Sequence, residues 1–344
     1  MSHFDIQKED ESDDYLLKIK NLKKYFILNN TFLNLFQKKR KIVRAVDDVT
    51  FNVKRGEVLV LAGESGSGKT TLARLIMKAI EPDSGRIIFD GRDITKINKK
   101  NILHYRSQIH MIHQDPYSSL NPRLKIIDSL LEPLNIHEKK LSKDKKIEAC
   151  LNTLKEVELE PFEEIAEKYP HMLSGGQRQR VGFARALVLK PKMILADEPV
   201  SMLDTHIRFQ ILSLMDDLRK KHNISFLYIT HDLLTSNVIG NNIALMYKGQ
   251  IVEYGNLSKI LKNPLHPYTQ ALIDAISQFN PDNLKKTKEI KIVDRSTVDT
   301  AEGGCIFYNK CIFAMDNCKN PPTFIKRSHD QQVKCFLYEN NAIN

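Results

Sequence analysis

The sequence predicts a mixed α/β protein. Its core strands are buried on both faces, and it carries an antiparallel β subdomain, an α-helical insertion and a small C-terminal extension. Two observations predict this. Short runs with apolar centres, "VLVLA" (58–62), "KMILAD" (192–197) and "SFLYIT" (225–230), are what a strand covered on both faces requires. Between the first of these and the other two, roughly residues 118–186, the pattern turns helical and polar, as in "KDKKIEACLNTLKEVEL".

The elements follow in order. Residues 1–15 are polar and acidic and read as a disordered segment. Residues 16–26 and 42–55 alternate as strands do, and the Asn- and Lys-rich stretch 28–41 between them reads as a long loop. "EVLVLAGE" (57–64) is a buried strand, and the helical pattern "KTTLARLIMKAI" follows it directly. "GRIIFDG" (85–91) and "IHMIHQ" (109–114) are further strands, and "NIALMYKG" with "QIVEYG" (242–255) is a strand pair. After "HPYTQALIDAIS" the chain is irregular and lysine-rich, so 278–300 reads as a linker before a cysteine-bearing extension, 301–344.

Composition narrows the function. A chain of 344 residues with 42% hydrophobic and 27% charged residues is ordinary for a folded soluble protein. No apolar run approaches the roughly 20 residues needed to span a bilayer, and the N-terminal stretch has no apolar segment suited to export. The expectation is a cytosolic protein. The net charge of +10 is spread along the chain. No helix-turn-helix, zinc-finger or aromatic–basic pattern points to nucleic acid.

The chemistry is concentrated in a few motifs. "GESGSGKT" (63–70) fits a phosphate loop between a strand and a helix. Its glycines let backbone N–H groups turn toward phosphate, Lys69 brings a cation, and the Thr70 hydroxyl can ligate Mg²⁺. "KMILADEP" ends an apolar strand in two carboxylates. Asp197 suits a Mg²⁺ contact, and Glu198 suits orienting or deprotonating an attacking water. His231 follows the strand "SFLYIT", placed to donate to a γ-phosphate. No N-K-x-D motif is present, which argues against a GTPase. "KYPHMLSGGQRQR" (168–180) also looks built for phosphate, although the chain already has a complete loop.

Taken together, "GESGSGKT", "HQDP" (113–116), "LSGGQ" (173–177), "ILADEP" (194–199), "SMLD" (201–204) and "THD" (230–232) resemble the ATP-binding subunits of ABC transporters. The likeness covers about residues 16–277 and implies a P-loop NTPase core of RecA type. It assigns Gly63, Glu64, Ser65, Gly66, Ser67, Gly68, Lys69, Thr70 and Thr71 to the phosphates and Mg²⁺. Gln114 senses Mg²⁺ and faces the membrane subunits, and Phe26, with Tyr25 second, stacks on adenine. In this family two subunits pair head to tail. Ser174, Gly175, Gly176 and Gln177 of one close over ATP on the other, and Asp204 lies in the loop crossing to the partner. The second phosphate device is thereby explained as half of a shared site.

"HQDPYSSLNPR" (113–123), "YPHMLSGGQRQR" and "NPLHPYTQAL" (263–272) resemble, more narrowly, the oligopeptide/dipeptide importer ATPases. That implies a related partner ATPase, two transmembrane permease subunits, an extracellular binding protein acting indirectly, and a place on the cytoplasmic membrane face. His113, Met202 and Ile312 depart from the usual pattern, and none is a phosphate-contacting position. Relatives serving oligosaccharides or nickel, and soluble ATPases of the same type acting on DNA or ribosomes, are the rival readings.

Cys305, Cys311, Cys318 and Cys335 lie within the final segment. Their spacing is not the short C-x₂-C of zinc fingers or bacterial ferredoxins. Four thiols can still complete a tetrahedral set, and the resemblance favours a [4Fe–4S] cluster, with Zn²⁺ as the alternative. Cys150, in the insertion, reads as ordinary core.

Overall fold

The apolar runs become the innermost strands. A computed structural model describes residues 14–28, 41–115, 120–278, 293, 303–328 and 330–341. The strands are β1 (Tyr15–Leu28), β2 (Lys41–Lys54), β3 (Val58–Ala62), β4 (Ser84–Phe89), β5 (Arg92–Asp93), β6 (Ile109–Ile112), β7 (Met193–Asp197), β8 (Ser225–Thr230), β9 (Asn242–Tyr247), β10 (Gln250–Asn256), β11 (Ile325–Ser328) and β12 (Gln331–Val333). The helices are α1 (Lys69–Ile76), α2 (Lys99–Gln108), α3 (Ile126–His137), α4 (Lys143–Glu156), α5 (Phe162–Glu167), α6 (Gly175–Leu187), α7 (Thr205–His222), α8 (Leu233–Ile239), α9 (Leu257–Lys262) and α10 (Pro267–Gln278).

Among the described residues the strands form two sheets. A four-stranded antiparallel sheet runs β2-β1-β4-β5, and an eight-stranded sheet runs β11-β12-β10-β9-β3-β8-β7-β6. Strands β6, β7, β8, β3 and β9 are parallel. Their carboxyl ends therefore share one edge, where ligands of open α/β sheets bind. β3, β7 and β8 are buried at every position. Val58, Val60 and Ala62 join a core shared with α3, α4, α6 and α7, while Leu59 and Leu61 join the β-subdomain core. That is the period of two that a pleated strand imposes.

The helical insertion comprises α3 to α6. Cys150 of α4 is wholly buried in its core, and burial pushes its thiol up to about 12. The extension at 303–341 does not stand apart. β12 pairs antiparallel with β10 (Glu253 with Val333, Gly255 with Gln331), and β11 pairs with β12. The end of the chain thus supplies one edge of the main sheet. The N-terminal segment up to residue 13, the stretch 29–40 and nearly all of the linker lie outside the described residues.

A buried histidine makes this fold acid-sensitive. His266 is 1% exposed, its Nδ1 accepts from the Tyr268 backbone N–H at 3.0 Å, and burial pushes the imidazole down to about 3. The unfolded chain takes that proton near the ordinary value of about 6.5. The contribution is complete above about pH 6.5 and falls by about 1.4 kcal/mol per pH unit below it. His110, which burial pushes down to about 4, adds a slope of the same sign. In urea unfolding between pH 7 and 5.5, His266→Asn, which keeps an acceptor but does not titrate, should reduce the slope by about 1.4 kcal/mol per pH unit.

Candidate nucleotide site

The phosphate loop leaves the end of β3 and turns into α1. Gly68 caps α1 at φ 108°, and a Cβ there would sit 2.0 Å from the Ala45 carbonyl oxygen, so only glycine closes this turn. Lys69 is buried, and its Nζ donates to the carbonyls of Gly63 (2.7 Å) and Glu64 (2.8 Å). Burial lowers its pKa, opposed by the carboxylates of Glu198, Asp197 and Glu64. The Ser67 N–H closes the loop onto the Glu64 carbonyl at 3.1 Å.

The acids come from the neighbouring strand ends. The Thr70 hydroxyl donates to Asp197 Oδ2 at 3.0 Å. Burial holds the Asp197 carboxyl above its usual range, opposed by that hydrogen bond, reinforced by Glu198, and opposed again by Lys69. Glu198 sits in the left-handed region at φ 49°, with its N–H on the Ile229 carbonyl at 2.9 Å. Strain of this kind is characteristic of functional positions. Gln114 Nε2 donates to Glu198 Oε2 at 3.1 Å, and His231 Nδ1 lies 3.0 Å from Glu198 Oε1. One carboxylate is thus held from two sides by residues of two further strand ends.

A cavity of about 1520 Å³ opens over these groups. Phe26, Ser65, Gly66, Gly68, Lys69, Thr70, Thr71, Gln114, Asp197 and Glu198 all line it. Phe26 is 39% exposed, whereas the Tyr25 hydroxyl is engaged by Asp47 Oδ1 at 2.5 Å. His231, Gly63, Glu64 and Ser67 are not among the lining residues.

The residues of "LSGGQ" lie elsewhere. Ser174 caps α6: its Oγ accepts from the Gln177 N–H at 3.2 Å, and Gln177 Oε1 accepts from the Ser174 N–H at 3.0 Å. This reciprocal box fixes the helix start. A Cβ on Gly176 would meet Ile207 Cγ2 at 2.7 Å, so α6 and α7 approach closely there. Asp204 caps α7 by accepting from the Ile207 N–H at 3.0 Å. Ser174, Gly175, Gly176, Gln177 and Asp204 do not line the phosphate-loop cavity. Exposed Met172 and Met202 lie beside them in sequence.

Sequence reasoning missed two supports. Arg208 links Asp232 (3.3 Å) to the Leu203 carbonyl (3.3 Å), joining the "SMLD" and "THD" segments. The Tyr268 hydroxyl accepts from the Glu64 N–H at 3.0 Å. "HPY" was legible as a marker, but nothing local in it points at a loop 204 residues away.

Cys311, Cys318 and Cys335 are buried and Cys305 is half-buried, with no disulfide among them. Among the described residues, no three His, Cys, Asp or Glu side chains are grouped so as to hold a metal ion. The expectation of a [4Fe–4S] cluster or Zn²⁺ on Cys305, Cys311, Cys318 and Cys335 thus rests on the resemblance.

Residues 46–201 match the ABC transporter family, and residues 252–318 match the C-terminal region of oligopeptide/dipeptide transporters. A probable peptide ABC transporter ATP-binding protein of Sinorhizobium fredii is 40% identical over 94% of this chain and 90% of its own length. The chain belongs to the ATP-binding subunits of ABC transporters. The oligopeptide transport ATP-binding protein AppF of Bacillus subtilis is 37% identical over 95% of this chain and 98% of its own. Among solved structures, the ATP-binding cassette MJ0796, a dimer in a post-hydrolysis state with ADP and phosphate, superposes at a TM-score of 0.61. It is 28% identical and covers 70% of this chain and 98% of its own. This ABC subunit is accordingly an ATP-binding, ATP-hydrolysing protein built on the P-loop NTPase fold. Among its described residues no helix is long and apolar enough to cross a membrane.

Proposed function

We propose that this ABC subunit powers import of oligopeptides or dipeptides. It sits on the cytoplasmic face of membrane permease subunits that receive cargo from an extracellular binding protein, and works head to tail with a related ATP-binding subunit. The observation that carries the pairing is the separation of Ser174–Gln177 from the cavity over Lys69. The start of α6, with its free N–H groups and positive dipole end, suits a γ-phosphate held by another chain. The peptide reading is supported by the printed functions of the relatives and by the C-terminal match.

In this reading the loop from Gly63 to Thr71 and Lys69 hold the phosphates, and Phe26 stacks on adenine. The oxygens of Thr70 and Asp197, already hydrogen-bonded across 3.0 Å, suit a hard cation, with Gln114 beside them. Bound there, Mg²⁺ would neutralise charge on the β- and γ-phosphates. Glu198 takes the proton of the water that attacks the γ-phosphorus, and the bond from that phosphorus to the ADP oxygen breaks. His231 holds Glu198 and donates to the γ-phosphate. Ser174–Gln177 and Asp204 complete the partner's site. Binding closes the pair and hydrolysis lets it reopen.

A second reading concerns the tail. The Cys305 N–H donates to the Cys318 carbonyl at 2.8 Å, and Cys311, Cys318 and Cys335 are buried in the same segment. Cys305, Cys311, Cys318 and Cys335 would hold a [4Fe–4S] cluster or Zn²⁺ after regrouping. Bound, the group would cross-link the segment.

One preparation tests both. The subunit, co-purified with its permease partners and placed in vesicles, should drive ATP-dependent uptake of a labelled peptide. Uptake of an oligosaccharide or nickel instead, or recovery with ribosomes or DNA in place of permeases, overturns the peptide reading. Iron, sulfide and zinc analysis of the same material made anaerobically tests the tail, and a folded, metal-free tail removes that reading.

A further inference from the structure

The segment "NPLHPYTQAL" has no part in the chemistry above, yet residues 265–269 of it are buried. Glu253 on β10 is fully buried. Its Oε1 accepts from the Leu265 N–H (3.0 Å) and the Gln331 amide (2.8 Å), and its Oε2 accepts from the His266 N–H (2.9 Å). These bonds fix the turn entering α10 and so the place of Tyr268 on its first turn. Gln331 belongs to β12, so the carboxylate that sets the turn is itself gripped by the C-terminal extension.

A second connection reaches the same residue through rings. Tyr268 is 2% exposed and packs against Tyr247 at 4.7 Å between centroids and Phe307 at 5.8 Å. Phe307, also from the extension, meets Tyr247 at 5.4 Å and His266 at 5.8 Å in edge-on contacts, the geometry aromatic quadrupoles favour. From this clamp the Tyr268 hydroxyl accepts from the Glu64 N–H. The carbonyl of the same residue accepts from Lys69. Glu64, the second residue of the phosphate loop, is therefore pinned at both backbone groups. The peptide planes after it are the ones that turn their N–H groups toward phosphate.

We propose that Tyr268 is a positioning residue for the phosphate loop, and that the C-terminal extension, through Phe307 and Gln331, sets how firmly the loop is held and hence the affinity for a nucleoside triphosphate. The inference rests on the reading of residues 63–70 as the phosphate site. It gives the extension a part in the ATP cycle whether or not its thiols carry a metal.

The test compares Tyr268→Phe with the parent in the complete chain. Phenylalanine keeps the ring packing and removes only the acceptor. The apparent KM for ATP should rise roughly 3- to 10-fold, the effect of one net hydrogen bond, while kcat changes by less than about two-fold. Phe307→Leu should move KM the same way, and the double variant should fall short of the product of the two, because both act on one contact. A purely structural tyrosine would lower the unfolding temperature and leave KM untouched at a permissive temperature. That result, or a fall in kcat at constant KM, overturns the inference. If Phe307→Leu fails to fold, the Tyr268→Phe comparison decides alone. Lys69→Ala separates the two levels. Intact ATP binding in that variant sinks the phosphate-site reading itself, whereas lost binding there with a silent Tyr268→Phe sinks only the positioning role.

Discussion

Glu198→Gln should slow ATP turnover by roughly 10²- to 10⁴-fold, the range expected for a general base, while ATP still binds. The substitution keeps the volume of the side chain and one of its two acceptors, and Gln114 can turn its amide to accept from the other end. Glu198 is held by backbone geometry, at φ 49° with its N–H on Ile229, and by Gln114 and His231 on its two oxygens. An amide in that place can still accept from His231, but it cannot take a proton from water. Thr70, Lys69 and Gly68, which the proposed reading places on the phosphates, are untouched. ATP should then accumulate on a protein that cannot consume it, and the paired form should persist. Gel filtration with millimolar ATP should show a stable dimer for Glu198→Gln and a monomer once ATP is removed. Hydrolysis at the parent rate would mean that another group activates the water.

Which features were legible in the sequence follows from what constrains them. β3, β7 and β8 could be read because burial on both faces demands uninterrupted apolar runs, and no other element tolerates them at that length. That Lys69, Thr70, Asp197 and Glu198 meet at one cavity could be read because each sits at a fixed spacing from the end of a buried parallel strand. β11 and β12 could not. Their sequences, "IKRS" and "QQV", are polar and do not alternate. β12 forms on the edge that β10 presents, and β11 then pairs with β12. The Tyr268–Glu64 contact is likewise a product of packing, since neither residue carries a local sign of the other. The cysteines lie between these cases. Their number suggested a metal set, but ligand grouping depends on side-chain placement, which spacing alone does not determine.

Lys69→Ala should abolish ATP binding rather than turnover, opposite in kind to Glu198→Gln. The ammonium of Lys69 donates to the Gly63 and Glu64 carbonyls, holding the loop in its curved form. Burial disfavours its charge, and the Glu198, Asp197 and Glu64 carboxylates favour it. Removing it leaves the Gly63 carbonyl without that donor, the Glu64 carbonyl with the Ser67 N–H alone, and the Asp197 and Glu198 carboxylates uncompensated. One charge-assisted hydrogen bond is worth about 1.5–3 kcal/mol, roughly 10- to 150-fold in affinity, before any repulsion is added. Binding of a fluorescent ATP analogue should fall at least that far while the unfolding temperature changes little. Lys69→Arg should not restore it. The planar guanidinium is wider than the ammonium and cannot occupy a position already 2.7 and 2.8 Å from two carbonyls without opening the loop. Recovery of binding with arginine would show that charge alone suffices, and that the loop geometry built by Gly68 and Tyr268 matters less than their contacts imply.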